Sequence, residues 1–166
     1  MTVNQLAQLE DPTSAPFPLE PAFRQRILVV DDDSMIRRLN TEALLYSGYD
    51  VDAADDGDVA WELIQQKNYD LLLTDHQMPK MTGLGLLRKI HAARLSLPVI
   101  LATGAVPQEE LEAHPWLQVE AILLKPYTFD DLLATVRNVL HANINEDPQI
   151  RPPDWTGQPL PNRLRF

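Results

Sequence analysis

The chain has 166 residues, of which 45% are hydrophobic and 23% charged, a balance that suits one globular domain with a sizeable core. It contains no cysteine, which removes disulfides, thiolate metal sites and cysteine nucleophiles from consideration. The net charge of −10 disfavours phosphate backbones and acidic lipid, no signal-peptide pattern opens the chain, and no apolar run approaches the ~20 residues that span a bilayer, so a cytoplasmic protein with no nucleic-acid and no membrane partner is expected.

Residues 1–25 carry Pro12, Pro16, Pro18 and Pro21 among small and polar residues and read as a Pro-rich N-terminal extension. Ile27–Val30 is a continuous apolar run with β-branched members, suited to a strand buried on both faces, and it ends on Asp31-Asp32-Asp33. Ser34 then precedes Ile36, Leu39, Ala43 and Leu44, a helical apolar spacing closed by Gly48. Tyr49–Ala54 reads as a second strand, Asp55-Asp56-Gly57 as a turn, and Ala60, Leu63 and Ile64 as the inner face of a second helix ending near Asn68. Tyr69–Thr74 is the third strand, stopping abruptly at Asp75. After a loop with Met78-Pro79 and Gly83, a third helix follows on Leu84, Leu87, Ile90 and Ala93.

Pro98–Ala102 is the fourth strand, with proline at its first position, where a missing N–H is tolerated, and it ends on Thr103-Gly104. Pro107–Ala113 is a short helix with Glu109 and Glu110 in its first turn, stopped by Pro115. Val119–Leu124 is the fifth strand, ending on Lys125-Pro126. Thr128 then caps an amphipathic helix built on Leu132, Leu133, Val136, Val139 and Leu140. From residue 143 onward Pro148, Pro152, Pro153, Pro159 and Pro161 return with Trp155 and Phe166, a Pro-rich C-terminal tail that leaves 26–142 as the domain.

Five alternating strand–helix units imply an α/β fold, a parallel sheet with helices on both faces, because parallel crossovers are right-handed and need about a dozen residues each. A closed eight-fold barrel would need roughly 250 residues, so the sheet is open. Parallel alignment gathers the carboxyl ends of all strands on one edge, where ligand sites of such sheets are built. Asp31 and Asp32 arrive there from strand one, Asp75 from strand three, Thr103 from strand four and Lys125 from strand five. Each alone has an ordinary explanation as a cap, a turn or a solvated strand end. Together they make three carboxylates, a hydroxyl and an amine in one place.

Three carboxylates at close range repel one another and so hold a cation or share protons. Hard oxygen donors without His or Cys favour Mg2+, which also binds phosphate. A metal on Asp31 or Asp32 leaves Asp75 as a nucleophile able to form an acyl phosphate, with Lys125 and Thr103 on the phosphoryl oxygens.

Val30-Asp31-Asp32-x-Ser34, Asp75-x-x-Met78-Pro79-x-Met81-x-Gly83, Ala102-Thr103-Gly104 and Leu124-Lys125-Pro126, in this order over Arg26 to His141, resemble the signature of receiver domains of two-component response regulators. The resemblance implies a flavodoxin-like five-stranded sheet of order 2-1-3-4-5 with five helices. It implies that Asp75 accepts a phosphoryl group from a sensor histidine kinase or a histidine phosphotransfer protein, that Asp31, Asp32, Asp75 and the backbone carbonyl of Gln77 hold Mg2+, that Lys125 pairs with the phosphoryl group, that Thr103 is the switch hydroxyl, and that the Lys125–Pro126 peptide is cis. Ile122 departs from the pattern, since many receivers place a switch aromatic there. His76, beside the nucleophile, reads as a loop residue that tunes access at most. Output is expected by contact of the fourth helix, fifth strand and fifth helix with an unidentified downstream protein, and the same face is the one through which a homodimer would form. The chain begins with Met1 and offers too few residues after His141 for a helix-turn-helix, so a stand-alone switch protein is expected. Two other readings compete with it: a receiver-like scaffold that is never phosphorylated, and an aspartyl-nucleophile phosphohydrolase. The hydrolase reading expects a carboxylate two residues after Asp75, where Gln77 stands.

Overall fold

The computed structural model describes residues 24–146, with side chains described through 142. The N-terminal extension before residue 24 and the tail after residue 146, including Trp155 and Phe166, lie outside the described residues. The elements alternate as β1 (Arg26–Val30), α1 (Ser34–Tyr46), β2 (Asp50–Ala54), α2 (Gly57–Gln66), β3 (Leu71–Asp75), α3 (Gly83–Ala92), β4 (Val99–Thr103), α4 (Gln108–Ala113), β5 (Ala121–Leu124) and α5 (Phe129–Glu146). All strand pairings are parallel, in the order β2-β1-β3-β4-β5. The fold is therefore the open flavodoxin-like sheet with five helices, and α5 continues through Glu146.

Local chemistry sets most boundaries. Asp33 caps α1 by accepting from the N–H groups of Met35 and Ile36, and Asp56 caps α2 by accepting from Asp58 and Val59. Gly48 lies at φ 91°, the left-handed turn that ends α1. Thr128 and Asp131 exchange bonds at the start of α5: the Thr128 N–H donates to the Asp131 carboxylate, and the Asp131 N–H donates to the Thr128 hydroxyl.

The strand period of two divides the interior into two layers. Leu28, Val30, Leu72, Val99 and Leu101 face α2 and α3, packing on Ala60, Ile64, Leu84, Leu87 and Ile90. Ile27, Val29, Leu71, Leu73, Ile100, Ala102 and Leu123 face α1 and α5, packing on Leu44, Leu132, Val136 and Leu140. Central strands β3 and β4 are buried throughout, as their unbroken apolar runs require.

One expectation on α1 is corrected. Leu39 is not part of the core; it stands 43% exposed, and the next residue, Asn40, is the one buried. A buried amide is tolerated because it has a partner: Asn40 Nδ2 donates to the Tyr127 hydroxyl at 2.9 Å, joining α1 to the loop after β5. Tyr127→Phe removes that acceptor and leaves the amide unpaired. We expect it to lower the unfolding free energy by about 1–2 kcal/mol, read as a lower urea midpoint at unchanged slope. A wild-type midpoint would mean that the bond contributes nothing.

Candidate active site at the carboxyl edge of the sheet

Strand alternation decides which candidate residues meet. Asp31 follows Val29, Asp75 follows Leu73 and Lys125 follows Leu123 by two positions, so all three emerge on the α1/α5 side. There they form one cluster: Lys125 Nζ lies 2.5 Å from Asp75 Oδ1 and 3.1 Å from Asp31 Oδ2. The two carboxylates are buried, whereas the lysine side chain keeps a quarter of its surface exposed. The other oxygens bind locally, Asp31 Oδ1 accepting from the Asp33 N–H at 2.9 Å and Asp75 Oδ2 from the Gln77 N–H at 2.6 Å. The Lys125–Pro126 peptide is cis.

Burial is the largest influence on the Asp31 carboxyl and raises its pKa, with Lys125 only partly offsetting it. Burial pulls Lys125 downward, but its hydrogen bonds to Asp75 and Asp31 outweigh that and hold the amine above the usual lysine value. The amine is therefore a fixed cation at neutral pH, placed where negative charge concentrates.

The loops around the cluster are tied down. Arg37 Nη1 donates to the Asp31 carbonyl at 2.6 Å, holding the turn after β1. Lys80, in the left-handed region at φ 65°, pairs with Asp56 at 2.6 Å and links the loop carrying Gln77 to the cap of α2. Gly83 begins α3 where the helix presses on the end of β3: a Cβ there would collide with the Asp75 carbonyl oxygen and meet Leu101 Cδ1 at 3.0 Å.

Three expected members stand apart from the cluster. Asp32 is exposed at the rim, and among the described residues no three Asp, Glu, His or Cys side chains converge closely enough to hold a metal ion, so three tightly packed carboxylates are not what the edge contains. Thr103 is buried but belongs to the opposite parity, with Val99 and Leu101. Its hydroxyl donates to the Ala105 carbonyl at 2.7 Å and accepts from the Ala105 N–H at 3.3 Å. Ile122 is registered with Leu101 on that same layer, half-buried, with no polar atom on its side chain. His76, expected as an access-tuning loop residue, is instead buried, with its N–H bound to the Ala102 carbonyl at 2.9 Å, which extends the β3–β4 ladder. The signal for His76 was its place directly after a central strand that is buried throughout.

Residues 27–137 match the family described as "Response regulator receiver domain". The chain belongs to that family. Among similar curated proteins, "Response regulator MprA" of Mycobacterium ulcerans is 34% identical over 122 residues, which are 74% of this chain and 53% of the relative. Its namesake in Mycobacterium leprae is 32% identical over 122 residues, 74% of this chain and 54% of the relative. The chain thus spans about half the length of the curated relatives it matches. Among solved structures, a CheY-like receiver domain protein from Methanospirillum hungatei shares 30% identity with a TM-score of 0.69, covering 74% of this chain and 98% of the other. Response regulator TrrA from Thermotoga maritima, solved in complex with Mg2+-BeF, shares 32% identity with a TM-score of 0.62, covering 69% and 98%. The Asp31–Lys125–Asp75 cluster therefore sits in a receiver domain of a response regulator. No helix among the described residues of this receiver is long and apolar enough to cross a membrane.

Proposed function

We propose that this receiver works in a His–Asp phosphorelay, accepting a phosphoryl group on Asp75 from a sensor histidine kinase or a histidine phosphotransfer protein and signalling by contact with another protein. The observation that carries this reading is the lysine bridge: two buried carboxylates at the strand ends, held by one amine whose charge is fixed. In the transfer, the bond from phosphorus to the donor imidazole nitrogen breaks and its electron pair returns to that nitrogen, while an Asp75 carboxylate oxygen forms the new bond. Lys125 then faces the transferred group and offsets charge on its oxygens. Thr103, one strand away, supplies a hydroxyl that can turn to the same group once it releases Ala105.

The chemistry of the donors suits Mg2+, although no three carboxylates are gathered around one position among the described residues. Every candidate ligand is oxygen, from Asp31, Asp32, Asp75 and the Gln77 carbonyl, and a sparse set suits an ion that keeps several waters. Bound there, the ion would neutralise phosphoryl charge. The TrrA structure with Mg2+-BeF supports transferring this role to the present chain.

The test is incubation of the full chain with Mg2+ and acetyl phosphate, followed by intact mass. We expect one added phosphoryl group, its loss with EDTA, and none in Asp75→Asn. Equal labelling of wild type and Asp75→Asn would remove Asp75 as acceptor, and no labelling of either would favour the scaffold reading. Sustained phosphate release from varied monoesters would favour the hydrolase.

A further inference from the structure

The register of the central ladder brings two residues together that the phosphoryl chemistry does not use as a pair. β3 and β4 are matched as Leu72 with Val99, Leu73 with Ile100, Thr74 with Leu101 and Asp75 with Ala102. The His76 N–H continues the ladder onto the Ala102 carbonyl, so the next pair across the strands is His76 and Thr103. Both have the parity of Leu72 and Leu101, on the α2/α3 side of the sheet. Neighbouring side chains in one register stand about 5 Å apart at Cβ.

His76 is 9% exposed, and its Nδ1 is buried without a hydrogen-bond partner, the one such side-chain atom among the described residues. A buried polar atom left unpaired is costly and rare in folded proteins. Its neighbour Thr103 uses its hydroxyl on Ala105 in the structure described here. The segment beyond is weakly held: α4 has six residues, none buried, and no side-chain cap at Pro107. A cleft of about 650 Å3, lined by His76, Gln77, Ala105, Val106 and Pro107 among others, gives that segment space to move. Weakly packed segments of this kind are the ones that shift at small cost.

We propose that His76 is a positioning residue of the switch. When Thr103 turns its hydroxyl from Ala105 toward a phosphoryl group on Asp75, the His76 imidazole donates from Nδ1 to the Ala105 carbonyl that Thr103 has released. The orphan atom gains a partner only in the phosphorylated arrangement, so the bond favours that arrangement differentially, which is what shifting a two-state equilibrium requires. Ile122, apolar and unable to donate, has no such bond to offer. The proposal rests on the reading of Asp75 as phosphoacceptor.

The experiment is NMR on the full chain with Mg2+, before and after addition of beryllofluoride, with acetyl phosphate labelling as a separate control. In wild type a slowly exchanging imidazole N–H signal from His76 is expected to appear on activation, together with amide shifts from Ala105 to Ala113. His76→Leu is expected still to take up a phosphoryl group while those amide shifts fall by about two-fold or more, and His76→Asn, which keeps a donor near Nδ1, is expected to restore them. No imidazole signal in wild type, or an undiminished amide response in His76→Leu, would overturn the inference. Should His76→Leu fail to fold, the wild-type imidazole signal alone decides. Absence of labelling in wild type would instead sink the proposed function.

Discussion

Gly83→Ala is expected to destabilise the domain by about 2–3 kcal/mol, a large share of the stability of a domain this size. Alanine is the better helix former, by about 1 kcal/mol in a helix interior, so a propensity argument alone gives the wrong sign. The added methyl would collide with the Asp75 carbonyl oxygen, and that oxygen belongs to the last residue of a central strand with no freedom to retreat. Leu101 Cδ1, at 3.0 Å, closes the other direction. Relief requires α3 to slide or Asp75 to move. The second route carries the proposed phosphoacceptor with it, so labelling by acetyl phosphate should slow by about 10²-fold, the usual effect of an ångström-scale misplacement. Gly85→Ala is the control: its Cβ would meet Met81 Cγ at 3.2 Å and the Thr82 hydroxyl at 3.3 Å, and a methionine side chain gives way readily. Urea unfolding of the two variants should differ by about 2 kcal/mol or more. Equal midpoints would show that the close approach at Gly83 is not rigid.

The second large effect is expected at Lys125. Lys125→Met keeps the stem and removes the charge, leaving the Asp31 and Asp75 carboxylates facing each other without a cation. Breaking a fully buried ion pair costs about 3–5 kcal/mol; with a quarter of this lysine exposed, about 2 kcal/mol is the better expectation at pH 7 in EDTA. The pH dependence follows from the carboxylates. Burial already raises Asp31 above its unfolded value, and loss of Lys125 raises it further. A carboxyl raised in the folded state destabilises the fold above its folded pKa, and that cost is relieved as pH falls through the folded value. The gap between wild type and variant should therefore narrow from pH 7 toward pH 4. Adding Asp31→Asn to Lys125→Met should recover part of the lost stability, a coupling that a double-mutant cycle reads directly. A gap independent of pH, or no recovery, would mean that packing of the lysine stem and not charge accounts for the loss. Labelling on Asp75 should also fall by about 10²-fold or more, because the amine would no longer offset phosphoryl charge.

The sheet was legible because its strands are short apolar runs with polar stops, so Ile27–Val30 and Leu71–Leu73 announce both their burial and their ends. Parallel topology then brought Asp31, Asp75 and Lys125 to one edge. What sequence order did not display was side-chain parity. Thr103 ends a strand just as Asp75 does, yet the register matches Asp75 with Ala102 and turns Thr103 to the other layer. On α1 the apolar spacing favoured Leu39, while a hydrogen bond to Tyr127, 87 positions away, made Asn40 the buried residue. A polar side chain paired across such a separation leaves no local periodic trace.

The two-layer parity of the sheet also bears on where its two faces can communicate. The lysine bridge lies on the α1/α5 side, whereas Thr103, His76 and Ile122 have the parity of the opposite layer. At the carboxyl ends of β3 and β4 the two layers nonetheless meet, because Asp75 adjoins His76 and is registered with Ala102, the neighbour of Thr103. A change of charge at Asp75 can therefore reach α4 through the ends of these two strands, while the strand interiors keep the two layers apart. The sheet acts as a partition with its one doorway at the charged edge.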